Sequence, residues 1–129
     1  MFSHVMLGSN DVEKAKAFYD KVLGALGISP GHLDHHRDGR PRVRYPTPSG
    51  VFAVTLPIEG KAIPANGATI GFAASSPEQV RAWHDAGVAA GGTAIEDPPG
   101  VREGAAGKLY IAYLRDLDGN KICALHRMG

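Results

Sequence analysis

His4–Ile28, HVMLGSNDVEKAKAFYDKVLGALGI, is the stretch that decides the fold, because the chain contains a second version of it. Moved 65 places without a gap, it falls on Thr69–Thr93, TIGFAASSPEQVRAWHDAGVAAGGT. Glu13 then meets Glu78, Ala17 meets Ala82, Asp20 meets Asp85, Ala25 meets Ala90 and Gly27 meets Gly92. Apolar positions coincide as well: Val5 with Ile70, Leu7 with Phe72, Phe18 with Trp83. The offset is half of the 129 residues, so the chain reads as a duplicated module and not as a longer repeat array.

Each copy opens with a strand followed by a helix. Residues 2–8 alternate, with Phe2, His4, Met6 and Gly8 on one face and Val5 and Leu7 on the other. Asn10 and Glu13 have capping-box spacing, Val12, Ala15, Tyr19, Val22, Leu23 and Leu26 form one helical stripe, and Gly27 suits a left-handed stop. Residues 32–37 predict a weak strand that turns at Asp38-Gly39. Arg42 to Tyr45 returns, with Pro46 and Pro48 ending it or confining it to an edge, and Val51 to Leu56 is the most strand-like run. Residues 57–68 have the composition of a linker.

The second copy repeats the order. Thr69 to Ala74 predicts a strand, Ser76-Pro77-Glu78 a capped helix start, and Val80, Trp83 and Gly87 its buried stripe. A short strand at 93–96 precedes an irregular stretch from Asp97 to Lys108, whose glycine-rich part, Gly100 to Lys108, is expected to form a mobile lip. Strands at 109–115 and 121–126 flank the turn Asp118-Gly119. The fold class is therefore α+β, a single domain over 1–129 made of two βαβββ modules (about 1–60 and 66–129), each helix covering one face of a mostly antiparallel sheet. The uncovered faces are expected to line a cup, with His4, Met6 and Thr69 among the wall residues.

Bulk properties narrow the functions. A formal net charge of +1 gives no electrostatic case for nucleic acid or an anionic membrane. No apolar run approaches the ~20 residues that span a bilayer. Cys123, the single cysteine, has no internal disulfide partner, which suits a reducing cytoplasm.

The opening HVMLGSNDVEKAKAFYDKVLGALG and the closing RDLDGNKI at 115–122 resemble the vicinal oxygen chelate superfamily, which includes glyoxalases, bleomycin-resistance proteins and extradiol dioxygenases. The closing hairpin differs from the family pattern in having Leu117 in place of proline. The resemblance implies paired βαβββ modules, commonly in a dimer, and a divalent metal (zinc, nickel, manganese or iron) that binds two neighbouring substrate oxygens as a Lewis acid. Carried across, the first-strand ligand falls on His4 and its counterpart on Thr69. The last-strand ligands fall on Val54, or Thr55 if that strand slips by one, and on Cys123. These residues supply one histidine, one cysteine and no carboxylate, fewer than a tight site needs. His32, His35 and His36 have helical ligand spacing outside any helix. Arg42, Arg44 and Arg115 have the chemistry to hold a substrate carboxylate or phosphate, and Tyr110 and Tyr113 fall on opposite faces, so one of them at most lines the cup.

The candidate pocket residues are thus His4, Met6, Val54, Thr69, Tyr113, Arg115 and Cys123, with His4 as the metal candidate in an incomplete set. Two readings lead: a small-molecule-binding protein with a degenerate metal site, and a metal-dependent glyoxalase-like lyase or dioxygenase. A homodimer is expected, since small sheets leave edges that a twofold partner covers. An interaction module without a ligand has no positive feature in the sequence.

Overall fold

The computed structural model describes all 129 residues. Module one runs β1 (His4–Gly8), α1 (Val12–Gly24), β2 (His32–His35), β3 (Pro41–Thr47) and β4 (Gly50–Thr55). Module two runs β5 (Ile70–Ala73), α2 (Pro77–Ala89), β6 (Thr93–Gly104), β7 (Gly107–Arg115) and β8 (Lys121–Arg127). Each module forms a four-stranded sheet, ordered β1-β4-β3-β2 and β5-β8-β7-β6. In both, the first strand lies parallel to the last and the remaining pairs are antiparallel. The duplication seen in the sequence is thus a duplication of topology.

The alternation of each strand decides what the helices cover. In sheet one, Val5 and Leu7 sit beside Phe52 and Val54, which belong with Val43 and Tyr45 to the core under α1. In sheet two, Ile70 and Phe72 sit beside Ile122 and Ala124, with Ala112 and Leu114 on the same side under α2. The two modules share one core: α1 packs on α2, and an aromatic chain runs from Phe18 through Tyr19 and Phe52 to Phe72, with centroid separations of 5.0, 4.9 and 5.1 Å. The opposite face of each sheet is directed away from this core.

Local expectations are met in α2 and corrected in α1. Ser76 caps α2, accepting from Gln79 N–H at 3.1 Å, with Pro77 in the first turn. Asp11, not Asn10, caps α1, accepting from Lys14 N–H at 3.1 Å. Asn10 is engaged elsewhere: its side chain exchanges hydrogen bonds with the backbone of Ala62, and its N–H donates to Asp118 at 2.8 Å. Phe18 joins the buried stripe of α1.

One strand expectation holds in its edge form and another changes. β3 continues through Pro46, opposite Val51, because β2 reaches only to Arg44 and leaves that side of the proline without a partner, while Val51 N–H donates to Ser3 O. The stretch 97–108, expected to be irregular, is a hairpin: β6 runs through it to Gly104 and pairs with β7. A bulge between Ile95 and Gly100, with Glu96 at φ 59°, takes up Pro98 and Pro99 without ending the strand.

Candidate functional site

Each outward sheet face is a row-by-row consequence of register. On sheet one, Met6, Ala53, Arg44 and His32 form one row across the four strands, and Gly8, Thr55, Arg42 and Asp34 form the next. His4 stands beside Val51. This face is polar and basic. On sheet two, Gly71, Cys123, Tyr113 and Ile95 form one row, and Ala73, Leu125 and Ile111 lie beside it. That face is apolar and aromatic at its centre, with Arg115 and Lys121 at one end.

Strands β2 and β3 place the acidic member of the first face between two arginines. Asp34 accepts from Arg42 Nε at 2.8 Å and from Arg44 Nε at 2.9 Å, one through each carboxylate oxygen. Arg42 and then Arg44 hold this carboxyl below the usual carboxylate range. His36 closes the row. Thr55 Oγ1 lies 2.8 Å from His36 Nε2 and 3.0 Å from Leu56 O. Arg42 Nη1 lies 3.5 Å from His36 Nδ1. Burial, together with Arg40 and Arg42, lowers the His36 pKa and favours the neutral ring.

On the second face Cys123 is buried, and its Sγ lies 3.1 Å from the position a Cβ on residue 71 would take, so Gly71 leaves room for the thiol. Burial, with Glu96 adding to it against the opposing Lys121, pushes the Cys123 thiol up to about 11. It is therefore a packed thiol and not an activated nucleophile. Lys121 lies 4.8 Å over the Tyr113 ring and pairs with Glu96. Tyr110, on the covered side, holds Arg81 of α2 at 2.7 Å.

The sequence-derived candidates do not converge. His4 is exposed, shares a 2.8 Å hydrogen bond with Ser3, and lines a groove of about 470 Å³ with Phe2, Leu26, Phe52 and Phe72. Thr69 lies in a separate depression of about 450 Å³ with Asn66, Arg115 and Lys121. Cys123 and Tyr113 line neither. Arg115 donates from Nη1 to Gly119 O of its own hairpin at 2.8 Å. Val54 is corrected outright: it is fully buried in the core, because its parity in β4 directs it under α1, and the outward residue is Thr55. Met6 is on the outward face and 38% exposed. Asp34 is the member of this clamp that the sequence does not single out beside Arg42 and Arg44; the loop at 36–40 sets the register that brings it to them.

The closing RDLDGNKI hairpin proves to be a brace. Asp116 is buried and accepts from Tyr19 Oη at 2.6 Å, from the N–H groups of Asp118 and Asn120 at 2.9 Å each, and from Asn120 Nδ2 at 3.0 Å. Asn120 also reaches Gly8 O at 3.1 Å, which ties module two to the end of β1. The model of the Glyoxalase/Bleomycin resistance protein/Dioxygenase superfamily matches residues 1–124. The chain belongs to this superfamily.

Among solved structures, a glyoxalase/bleomycin resistance protein from Albidiferax ferrireducens is 58% identical, with a TM-score of 0.91 over 98% of this chain and 99% of that one. A superfamily enzyme from Burkholderia phytofirmans is 19% identical, with a TM-score of 0.68 over 98% of both chains. A lactoylglutathione lyase from Agrobacterium tumefaciens, 19% identical, has a TM-score of 0.64 over 98% of this chain and 92% of that one. The last two share the fold. No curated protein matches the chain.

The superfamily's metal poses a question about donors. No three His, Cys, Asp or Glu side chains converge anywhere in this chain. His4 has a serine hydroxyl for its neighbour and no carboxylate, Thr69 lies in a different depression, and Cys123 holds its proton. This donor set does not fit a tightly held dication, which needs three or four ligands and negative charge to offset dehydration.

Proposed function

We propose that this superfamily member is a small-molecule-binding protein that works through its outward sheet faces, with a degenerate metal site. One observation carries the reading: register turns a basic, hydrogen-bonding wall and an apolar wall around Tyr113 outward, while the aligned ligand positions are not gathered into a donor cluster. Retention of the fold without the ligands suits enclosure of a ligand better than Lewis-acid chemistry.

The walls belong to sheets whose first strands have open edges, since β1 pairs only with β4 and β5 only with β8. Phe2 is 70% exposed next to β1. A homodimer that covers these edges is part of the proposal, and sedimentation at micromolar concentration is expected to give twice the 13.6 kDa chain mass. A monomer mass contradicts that element.

The binding reading is tested by amide NMR of the EDTA-dialysed protein against a panel of small aromatic compounds and carboxylic acids. The expected result is saturable shifts confined to β3, β4, β7 and β8. Silence across the panel, with turnover of a glutathione hemithioacetal that depends on added metal, overturns it in favour of a glyoxalase-like lyase.

A further inference from the structure

The basic face of sheet one has a feature that a general binding wall does not require. Arg42 and Arg44 are both immobilised by one carboxylate, yet each spends only its Nε on Asp34. The Nη groups of Arg44 have no hydrogen-bond partner, and those of Arg42 have only the long contact to His36. The two side chains are 27% and 40% exposed, so the free donors are open to solvent while their stems are held. Two guanidiniums against one carboxylate leave an excess of one positive charge at the clamp. Residues 34–44 as a whole carry four arginines against two aspartates, in a chain whose formal net charge is only +1. The molecule's positive charge is concentrated here.

The row through Arg44 supplies the rest of a ligand's outline. Ala53 lies next to Arg44, and Met6 lies next to Ala53. Met6, 38% exposed, is thus two strand spacings, about 10 Å, from Arg44, with Ala53 covered between them. An acid with one ring reaches the free Nη donors with its charged end and lays its ring on the exposed surface of Met6. Planar guanidinium forks held in place match an oxyanion with two equivalent oxygens.

We infer that the Arg42–Arg44 clamp is an anion subsite, and that the protein selects small molecules carrying a carboxylate or phosphate on an apolar body. Asp34 is its positioning residue, holding two like charges side by side and fixing their planes. The inference rests on the small-molecule-binding reading and names the ligand class for it. It does not require the metal.

The test uses the full-length protein and three probes: benzoate, benzyl alcohol of the same size without charge, and inorganic phosphate. NMR titration reads backbone amides and the arginine Nε–H resonances. Benzoate is expected to shift Arg42 and Arg44 Nε–H and the amides of Ala53 and Met6, binding about tenfold more tightly than benzyl alcohol, as charge-assisted pairing requires. Phosphate is expected to displace benzoate. Arg44→Gln weakens benzoate about tenfold and so removes its advantage over benzyl alcohol. Arg44→Lys, which keeps the charge but loses the fork, restores only part of the affinity, and Lys14→Gln changes nothing. Preserved amide dispersion shows that each variant is folded. Equal binding of benzoate and benzyl alcohol on this face, or undiminished benzoate binding by folded Arg42→Gln and Arg44→Gln, overturns the anion subsite while leaving small-molecule binding in place. Absence of binding by all three probes at either sheet face overturns both.

Discussion

Asp116 and Asp20 show how single carboxyls hold the superfamily scaffold together. Asp116 accepts four hydrogen bonds while buried, one from Tyr19 of the other module. Burial first, then Asp116, raises the Tyr19 pKa well above the ordinary phenol value, so the phenol remains a donor. Asp116→Asn replaces acceptors with an N–H2 group facing donors, and is expected to cost about 3 kcal/mol, read by denaturant unfolding. Asp20 ties the segment after α1 to β3: it accepts from Gly31 N–H at 2.9 Å, Tyr45 Oη at 2.8 Å and Lys16 Nζ at 2.6 Å. Burial alone would raise its pKa, but Gly31, Lys16 and Tyr45 outweigh that and lower it. A folded-state pKa below the unfolded one gives stability that is full above the unfolded value, about 4, and is lost as pH falls through the folded value. Asp20→Asn is therefore expected to cost about 1–2 kcal/mol at pH 7, the loss narrowing below pH ~4. A penalty that stays constant from pH 7 to pH 2 contradicts this linkage.

At the scale of the element, α2 docks on β7 through the absence of a side chain. A Cβ at Gly87 would stand 2.2 Å from Cδ1 of the fully buried Leu114, so the helix sits one methyl group closer to the sheet than alanine allows. Gly87→Ala gains helix propensity of about 1 kcal/mol but overpacks a full core, and a net loss of about 1–2 kcal/mol in thermal or denaturant unfolding is expected. Gly87 is readable in the sequence as part of the α2 stripe, and so are both modules, the N-cap of α2 and the hairpin at 118–119. What the sequence hid were single-residue choices. A two-residue turn at Asp38-Gly39 would set Asp34 opposite Val43. The loop instead closes from His36 to Arg40, with Gly39 at φ 90°, and sets Asp34 opposite Arg42. One residue of register inverts a strand's faces. That is why Asp34 does not read as the partner of Arg42 and Arg44; separately, parity within β4 turns Thr55, and not Val54, outward. The bulge at 96–99 was hidden for a related reason: two prolines and a glycine read as irregular chain unless the strand around them is already in place.

For the whole molecule, duplication gives each sheet a covered face in a common core and an outward face free for binding. The aligned metal positions are spread over this design: His4 on the edge strand of sheet one, Thr69 before the edge strand of sheet two, and Cys123 protonated among apolar neighbours. On the reading proposed above, ligands bind these faces without a resident dication. That reading is tested most directly by the metal content of protein produced with zinc, nickel, manganese and iron supplied, then dialysed against metal-free buffer, for the wild type and His4→Ala. Far less than one equivalent of any of these metals per chain is expected, and the same for both proteins. One equivalent retained by the wild type and lost in His4→Ala contradicts it.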